Sequence, residues 1–234
     1  MPLVLSKAKE SDATRIADIH MAAFGSNEML LAQFPTPAAR KGLWVSLVEK
    51  VVSELRDPKW AILVILHHDH CKIISFAKWC LPISKSEGYE EHPWRWPKET
   101  NMAILNQWTK KIGAANDKIL RDLPCYRLSF IGTDPKYQGL GAASLLLKWG
   151  LDRSREENVP TVLEATPNAT PFYQKFGFRA EERISMQLEA VNRNREPVLY
   201  EEIYFVSWPI MPLGHETFTK SEPLCVESAH STAN

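Results

Sequence analysis

KYQGLGAAS, residues 136–144, lies between a strand that ends at Asp134-Pro135 and a helix that starts at or just after Gly139. A helix N-terminus carries unpaired N–H groups and the positive end of the dipole, and small residues there let an anion approach the backbone closely. The physical reading is therefore an anion site suited to a pyrophosphate. No Gly-Lys-Ser/Thr follows, which removes a P-loop, whose lysine and hydroxyl must reach phosphates and metal. GLGAAS has a superficial GxGxxG look, but a dinucleotide fold runs its strand almost directly into the glycines, whereas Thr133 to Gln138 intervene here with a proline. A glycine-rich helix start without a ligand is the other reading, although a plain start needs neither Gly139 nor Gly141.

Working outward, Cys125 to Pro135 reads as a strand and Gln138 to Asn158 as a helix with Leu145, Leu146, Trp149 and Leu151 inward. Thr161 to Ala165 is a strand, and Thr170 to Phe176 a short helix ended by Gly177. Strand segments follow near residues 178–181, 184–188 and 198–206. Towards the N-terminus, Leu3 to Leu5 is a short strand, and Ser11-Asp12 caps a helix carrying Ile16, Ile19, Ala23 and Phe24. Leu43, Leu47, Val48, Val51, Val52 and Leu55 form one apolar helical stripe stopped at Asp57-Pro58. Trp60 to Leu66 and Lys72 to Leu81 read as a hairpin around HHDHC, residues 67–71. The stretch 83–98 has no periodicity and reads as a long aromatic loop, followed by a helix over Glu99 to Arg121.

The chain has 234 residues, 44% of them hydrophobic and 24% charged, with 28 basic and 28 acidic side chains. A balance of that kind supplies no long-range field for nucleic acid or anionic lipid. The longest apolar run, Trp60 to Leu66, falls far short of the ~20 residues a membrane helix needs. No secretory signal is legible, so the expected compartment is the cytoplasm, and Cys71, Cys80, Cys125 and Cys225 are expected as reduced thiols. The expected organisation is one domain over residues 1–210, with an inserted loop and helix at about 83–121, and a mobile tail over 211–234.

Gln138-x-x-Gly141-x-Ala143 resembles the Q/R-x-x-G-x-G/A signature of the GCN5-related N-acetyltransferases (GNAT superfamily), which hold the pyrophosphate of acetyl-CoA. The preceding Ile131-Gly132-Thr133-Asp134-Pro135 and the following order of helix, strand, helix and closing hairpin are similar too. LEATPNATPFYQKFGF, residues 163–178, is locally similar to puromycin-type N-acetyltransferases. The likeness is strong over residues 126–180 and rests on element order alone over 3–82. Thr133 stands where an aliphatic residue is usual, and Asn168 lies closer to Tyr173 than in the commonest pattern.

The resemblance implies an α/β fold with a central mixed sheet of about six or seven strands flanked by helices. It implies acetyl-CoA as co-substrate, with no metal, and direct transfer to a primary amine of a small molecule in a ternary complex. The cofactor would meet Phe130, Ile131, Gly132 and Thr133 on the strand, then Gln138, Gly139, Leu140, Gly141, Ala142, Ala143 and Ser144 in the loop. Asn168, Phe172, Tyr173 and Lys175 would complete that site. Tyr173 is the expected general acid for the departing thiolate, since a phenol with pKa near ~10 holds its proton at pH 7. An amine with pKa near ~10 must lose a proton, and Glu164 is the expected base, with Glu87, Glu90, His92 and Glu202 as alternatives. Backbone N–H groups from Ile131 to Thr133 would meet the oxyanion. Phe24, Tyr89, His92, Trp94, Trp96 and Tyr200 are the expected acceptor-pocket residues. His67, His68, His70 and Cys71 read as turn residues rather than metal ligands. A monomer or homodimer is expected, with neither nucleic acid nor membrane as partner. A protein or peptide N-acetyltransferase and a non-catalytic acyl-CoA sensor are the competing functions.

Overall fold

Trp60 to Leu66 is apolar at nearly every position, which a strand can satisfy only if both of its faces are covered. In the computed structural model, which describes residues 3–67, 72–82, 89, 93–189 and 197–209, this stretch lies inside a seven-stranded sheet. The strands are β1 (Leu3–Lys7), β2 (Trp60–His67), β3 (Lys72–Cys80), β4 (Tyr126–Thr133), β5 (Thr161–Ala165), β6 (Arg179–Leu188) and β7 (Val198–Ser207). Their spatial order is β1-β2-β3-β4-β5-β7-β6, and only the β4–β5 pair is parallel.

Helices cover both faces: α1 (Ala13–Phe24), α2 (Glu28–Gln33), α3 (Pro37–Leu55), α4 (Met102–Ile119), α5 (Ala142–Glu156) and α6 (Thr170–Gln174). On one face Leu146, Leu147 and Leu151 of α5 pack with Leu63, Ile65, Trp79, Leu128, Leu163 and Phe205. On the other, Ile16 and Ile19 of α1 and Val51 of α3 meet Ile62, Val64 and Phe76. Trp108 and Ala115 of α4 cover Ile184, Met186, Tyr200 and Tyr204 on that same side. The alternation of Ile62 and Val64 against Leu63 and Ile65 therefore feeds two cores from one strand. Gly150 lets α5 lie directly on Trp79, because a Cβ there would come within 2.4 Å of the indole.

The observed boundaries differ from the sequence expectations in informative places. The helix of the Leu43 stripe begins at Pro37, where Thr36 accepts from the Ala39 N–H at 3.0 Å and proline occupies the first turn. The helix expected over 99–121 runs from Met102 to Ile119, capped by Asn101. That expected over 138–158 begins only at Ala142, because Gly139 and Gly141 hold φ of +79° and +86°. The segments at 178–181 and 184–188 are one strand, β6, with a register shift between Ala180 and Glu182. The proposed tail at 211–234 and His68, His70 and Cys71 lie outside the described residues. Cys80 and Cys125 form no disulfide among the described residues.

Two irregularities position the site. Lys78 faces Phe130 while its neighbour Trp79 faces Leu128, so Ser129 is an extra residue that bends β4. Beyond this bend β4 leaves β5: they pair only at Tyr126–Thr161 and Arg127–Val162. The remainder of β4 and β5 diverges into a wedge that opens towards the glycine loop.

Candidate active site

The wedge has unused backbone on its β4 wall. Asp134 donates its N–H to Ile74 O at 2.9 Å, towards β3. Strand alternation then turns the Thr133 and Ile131 amides the other way, into the opening. These are the donors expected for an oxyanion. The opposite side of β4 is locked to β3: Ser75 Oγ donates to Gly132 O at 2.8 Å and lies 2.8 Å from Thr133 Oγ1. Thr133 thus replaces the usual aliphatic residue with a side-chain hydrogen bond.

The end of β4 also sets the glycine loop. Asp134 Oδ1 accepts from the Lys136 N–H at 3.1 Å and caps a short 3₁₀ turn over Pro135–Tyr137. Gln138, Gly139, Leu140 and Gly141 then lie exposed. A Cβ at Gly139 or Gly141 would meet no atom within 4 Å, so these glycines answer to backbone conformation and leave open room above the chain. No side chain caps α5, and its first turn carries no acidic residue. The Ala142, Ala143 and Ser144 amides at this terminus lack the intrahelical partners of a helix interior. Donor set, dipole and open space all fit a diphosphate.

Tyr173 lies on α6, the helix that follows β5 in the chain. Its ring is buried against Phe172, Phe178 and Phe205, and among the described residues its hydroxyl has no hydrogen-bond partner. Burial pushes its pKa up to about 12, so the phenol is fully protonated at neutral pH. Phe172 is half-buried in the same aromatic group, while Asn168 and Lys175 are exposed beside it. Phe130 lies on the other face, with His20 and Phe24. Burial, together with the nearby Lys78 charge, lowers His20 to about 3 and makes it a neutral packing group.

Glu164, expected as the base, lies on β5 with its carboxylate bound by Arg127. Arg127 also donates to Asn116 Oδ1 at 2.5 Å and to the Tyr204 hydroxyl at 3.3 Å. This network closes the apex of the wedge and commits a Glu164 oxygen to the Arg127 guanidinium. Glu202 of β7, an alternative in the sequence reading, is different. Burial raises its pKa to about 7, against a lowering hydrogen bond from Tyr200 and with a further increase from Glu164. Its Oε1 accepts from the Tyr200 hydroxyl at 2.5 Å, which in turn accepts from Asn27 Nδ2 at 3.1 Å. Asn27 Oδ1 caps α2 by accepting from the Met29 and Leu30 N–H groups.

The expected acceptor-pocket residues separate. Phe24, Trp94 and Trp96 pack against one cluster of Ala17, Leu30, Phe34, Ala39, Leu43 and Leu47. Trp94 and Trp96 stack at 4.4 Å, and Trp94 Nε1 donates to Ser46 Oγ of α3 at 2.7 Å. Tyr200 belongs to the α4 side, edge-on to Trp108 at 5.2 Å. Tyr89 does not join either group: its hydroxyl donates to Asp57 at 2.5 Å, near the start of β2, and its ring lies under Lys59. His92, Glu87 and Glu90 lie outside the described residues. Sequence reasoning missed Arg127, Asn27 and Arg15. A lone arginine inside the otherwise apolar CYRLSF strand was the available signal for the first. Among the described residues no group of three or more His, Cys, Asp or Glu side chains is placed to hold a metal, and no helix is long and apolar enough to cross a membrane.

Residues 77–187 match the family model of an acetyltransferase (GNAT) domain. This span contains β4, the glycine loop, α5, β5 and Tyr173. No curated protein sequence matches the chain. Solved structures share the fold at low identity. One is a histone acetyltransferase HPA2 and related acetyltransferase from Corynebacterium glutamicum ATCC 13032, 21% identical at TM-score 0.57, covering 91% of this chain and 99% of that one. The C-terminal condensation domain of Ebony, bound to beta-alanyl-dopamine, is 13% identical at TM-score 0.64, covering 89% and 99%. Drosophila melanogaster polyamine N-acetyltransferase, which forms N-acetylagmatine, is 15% identical at TM-score 0.58, covering 88% and 100%. The family uses acetyl-CoA.

Proposed function

We propose that the protein is an acetyl-CoA-dependent N-acetyltransferase that moves the acetyl group to a primary amine of a small molecule by direct attack in a ternary complex. The observation that carries this reading is the β4–β5 wedge opening onto a glycine loop whose amides have no partner among the described residues. The Gly139–Ser144 backbone would hold the diphosphate, and the wall from Phe130 to Thr133 would hold the pantetheine arm. Acetyl-CoA supplies an activated acetyl thioester there. The Ile131 and Thr133 amides polarise its carbonyl and hold the oxyanion. Tyr173 keeps its proton at pH 7 and donates it as the C–S bond breaks and the C–N bond forms. Arg127 and Glu164 hold the wedge apex rather than move protons. The polyamine acetyltransferase relative supports a small amine as acceptor, and Cys80 and Cys125, which form no disulfide among the described residues, suit a reducing compartment such as the cytoplasm.

The test is amine-dependent release of CoA thiol, measured against small alkylamines, aminoglycosides and peptides. Release with small amines is expected. Release with peptides alone makes the protein a peptide acetyltransferase, and acetyl-CoA binding without release under any acceptor leaves it a sensor.

A further inference from the structure

Two carboxylates lie on the face of the sheet that α4 covers, and the structure treats them unequally. Glu164 of β5 pairs in register with Tyr204 of β7, so Glu202 is two residues nearer the mouth of the wedge on the same face. Glu164 has its cation, Arg127. Glu202 has none among the described residues: its only fastening there is the hydrogen bond from Tyr200, which ties it to Asn27 at the start of α2. The charged and titratable groups around this pair from other elements are Glu164 with Arg127, Glu28 of α2, whose charge acts on Tyr200, Tyr204 with Cys125 beside it, and Glu182 of β6, which lies opposite Tyr204 and is paired with Lys118 of α4. A largely buried carboxylate with no cation is an incomplete ion pair. Glu202 nevertheless keeps a partly exposed edge, through which a cation can complete the pair.

We propose that Glu202, held by the Tyr200–Asn27 relay, receives the acceptor's ammonium group and takes its proton, which assigns the acceptor to alkylamines that arrive as cations. The proposal rests on the acetyltransferase reading. An N–H bond of R–NH₃⁺ breaks as an O–H bond forms on Glu202. The freed lone pair attacks the acetyl carbon, a C–N bond forms and the C–S bond breaks. A second proton leaves the nitrogen and neutralises the thiolate by way of Tyr173. Glu202 then returns its proton to water, so the overall change is ammonium plus thioester to amide, thiol and one proton. A carboxylate whose pKa lies close to neutral is well matched to this duty, since it accepts a proton and releases it again within one turnover. An aromatic amine, already neutral at pH 7, does not need that step.

The experiment compares the wild type with Glu202→Gln on a saturated alkylamine and on an aromatic amine, following CoA thiol release from pH 5.5 to 9, with acetyl-CoA affinity measured in parallel. Glu202→Gln is expected to lower kcat/KM for the alkylamine by about 100-fold, to abolish the acidic limb of its pH profile, and to spare the aromatic amine and acetyl-CoA affinity. Tyr200→Phe is a second handle. Removing a hydrogen bond that favours the charged carboxylate moves the acidic limb to higher pH. Glu202→Gln within about threefold of wild type on the alkylamine, or an equal loss on both amines, overturns the proposal while leaving the acetyltransferase reading intact. A wild type that binds no acetyl-CoA overturns both.

Discussion

Arg15 of α1 and Asp134 at the end of β4 are 119 positions apart in sequence and 2.5 Å apart in the structure. Arg15 Nε also donates to Ile73 O at 3.0 Å, and Asp134 holds the turn that leads into the glycine loop. One ion pair thereby links the helix that carries His20 and Phe24 to the loop on which the diphosphate would sit. α1 and the glycine loop keep a common frame.

Arg15→Ala is expected to lower stability by about 1–3 kcal/mol, because it leaves Oδ2 of a largely buried carboxylate, and the Ile73 carbonyl, without the arginine donor. The hydrogen bond from Arg15 holds the Asp134 pKa below its ordinary value. The sign follows: this contribution is present above the unfolded-state carboxylate pKa and is lost as pH falls through the lower folded value. Urea unfolding at pH 7 and below pH 4 measures it. The stability gap between wild type and variant should narrow in acid, and a gap independent of pH contradicts the role given to the pair.

At Gly141 two substitutions separate backbone from ligand. Gly141→Ala meets no neighbouring atom but must hold φ near +86°, a left-handed conformation that costs an alanine roughly 1 kcal/mol. Gly141→Asp has the same backbone difficulty and adds a negative charge where the diphosphate would lie. Both variants should show a similar small fall in Tm, while only the aspartate removes acetyl-CoA affinity. Equal affinities in the two would detach the loop from cofactor binding.

Much of this frame could be read in advance. The glycine pair after Asp134-Pro135, the α5 stripe, β5 and the Gly177 stop each follow from local rules, and they place the glycine loop and the elements around it. What escaped was set by contacts between distant segments. α2 is six residues long, too short to show a period, and exists because Asn27 caps it and because Met29 and Leu30 find buried places. Glu164 looks like a free base in sequence, since nothing near it reveals that Arg127 of the neighbouring strand neutralises it. Trp94 and Trp96 advertise an aromatic pocket, yet much of their surface stacks on each other and on the α3 side. Ser129 shows no sign of being the extra residue that opens the wedge, because a bulge depends on the register of two strands and not on one.

Tyr173→Phe keeps the buried ring and its contacts with Phe172, Phe178 and Phe205. If the hydroxyl delivers a proton to the leaving thiolate, kcat should fall by about 100-fold with acetyl-CoA affinity almost unchanged. Stopped-flow thiol detection checks this. An unchanged kcat removes the phenol from the mechanism and leaves it as packing.

Gly150→Ala tests the frame away from the chemistry. Its new methyl would come within 2.4 Å of Trp79, a fully buried indole with no room to retreat. Overpacking of this kind costs about 1–3 kcal/mol, and the gain in helix propensity is smaller. Denaturant unfolding should show a net loss of stability; a stabilised variant would mean that α5 does not lie on β3 as described.

The most direct measurement is calorimetric titration of acetyl-CoA into the wild type and into Gly141→Asp. The account predicts saturable one-site binding to the wild type and at least about a tenfold loss of affinity in the variant, or roughly 1.4 kcal/mol. No binding to the wild type, or the same affinity in both proteins, would contradict the assignment of the glycine loop and the acetyltransferase function built on it.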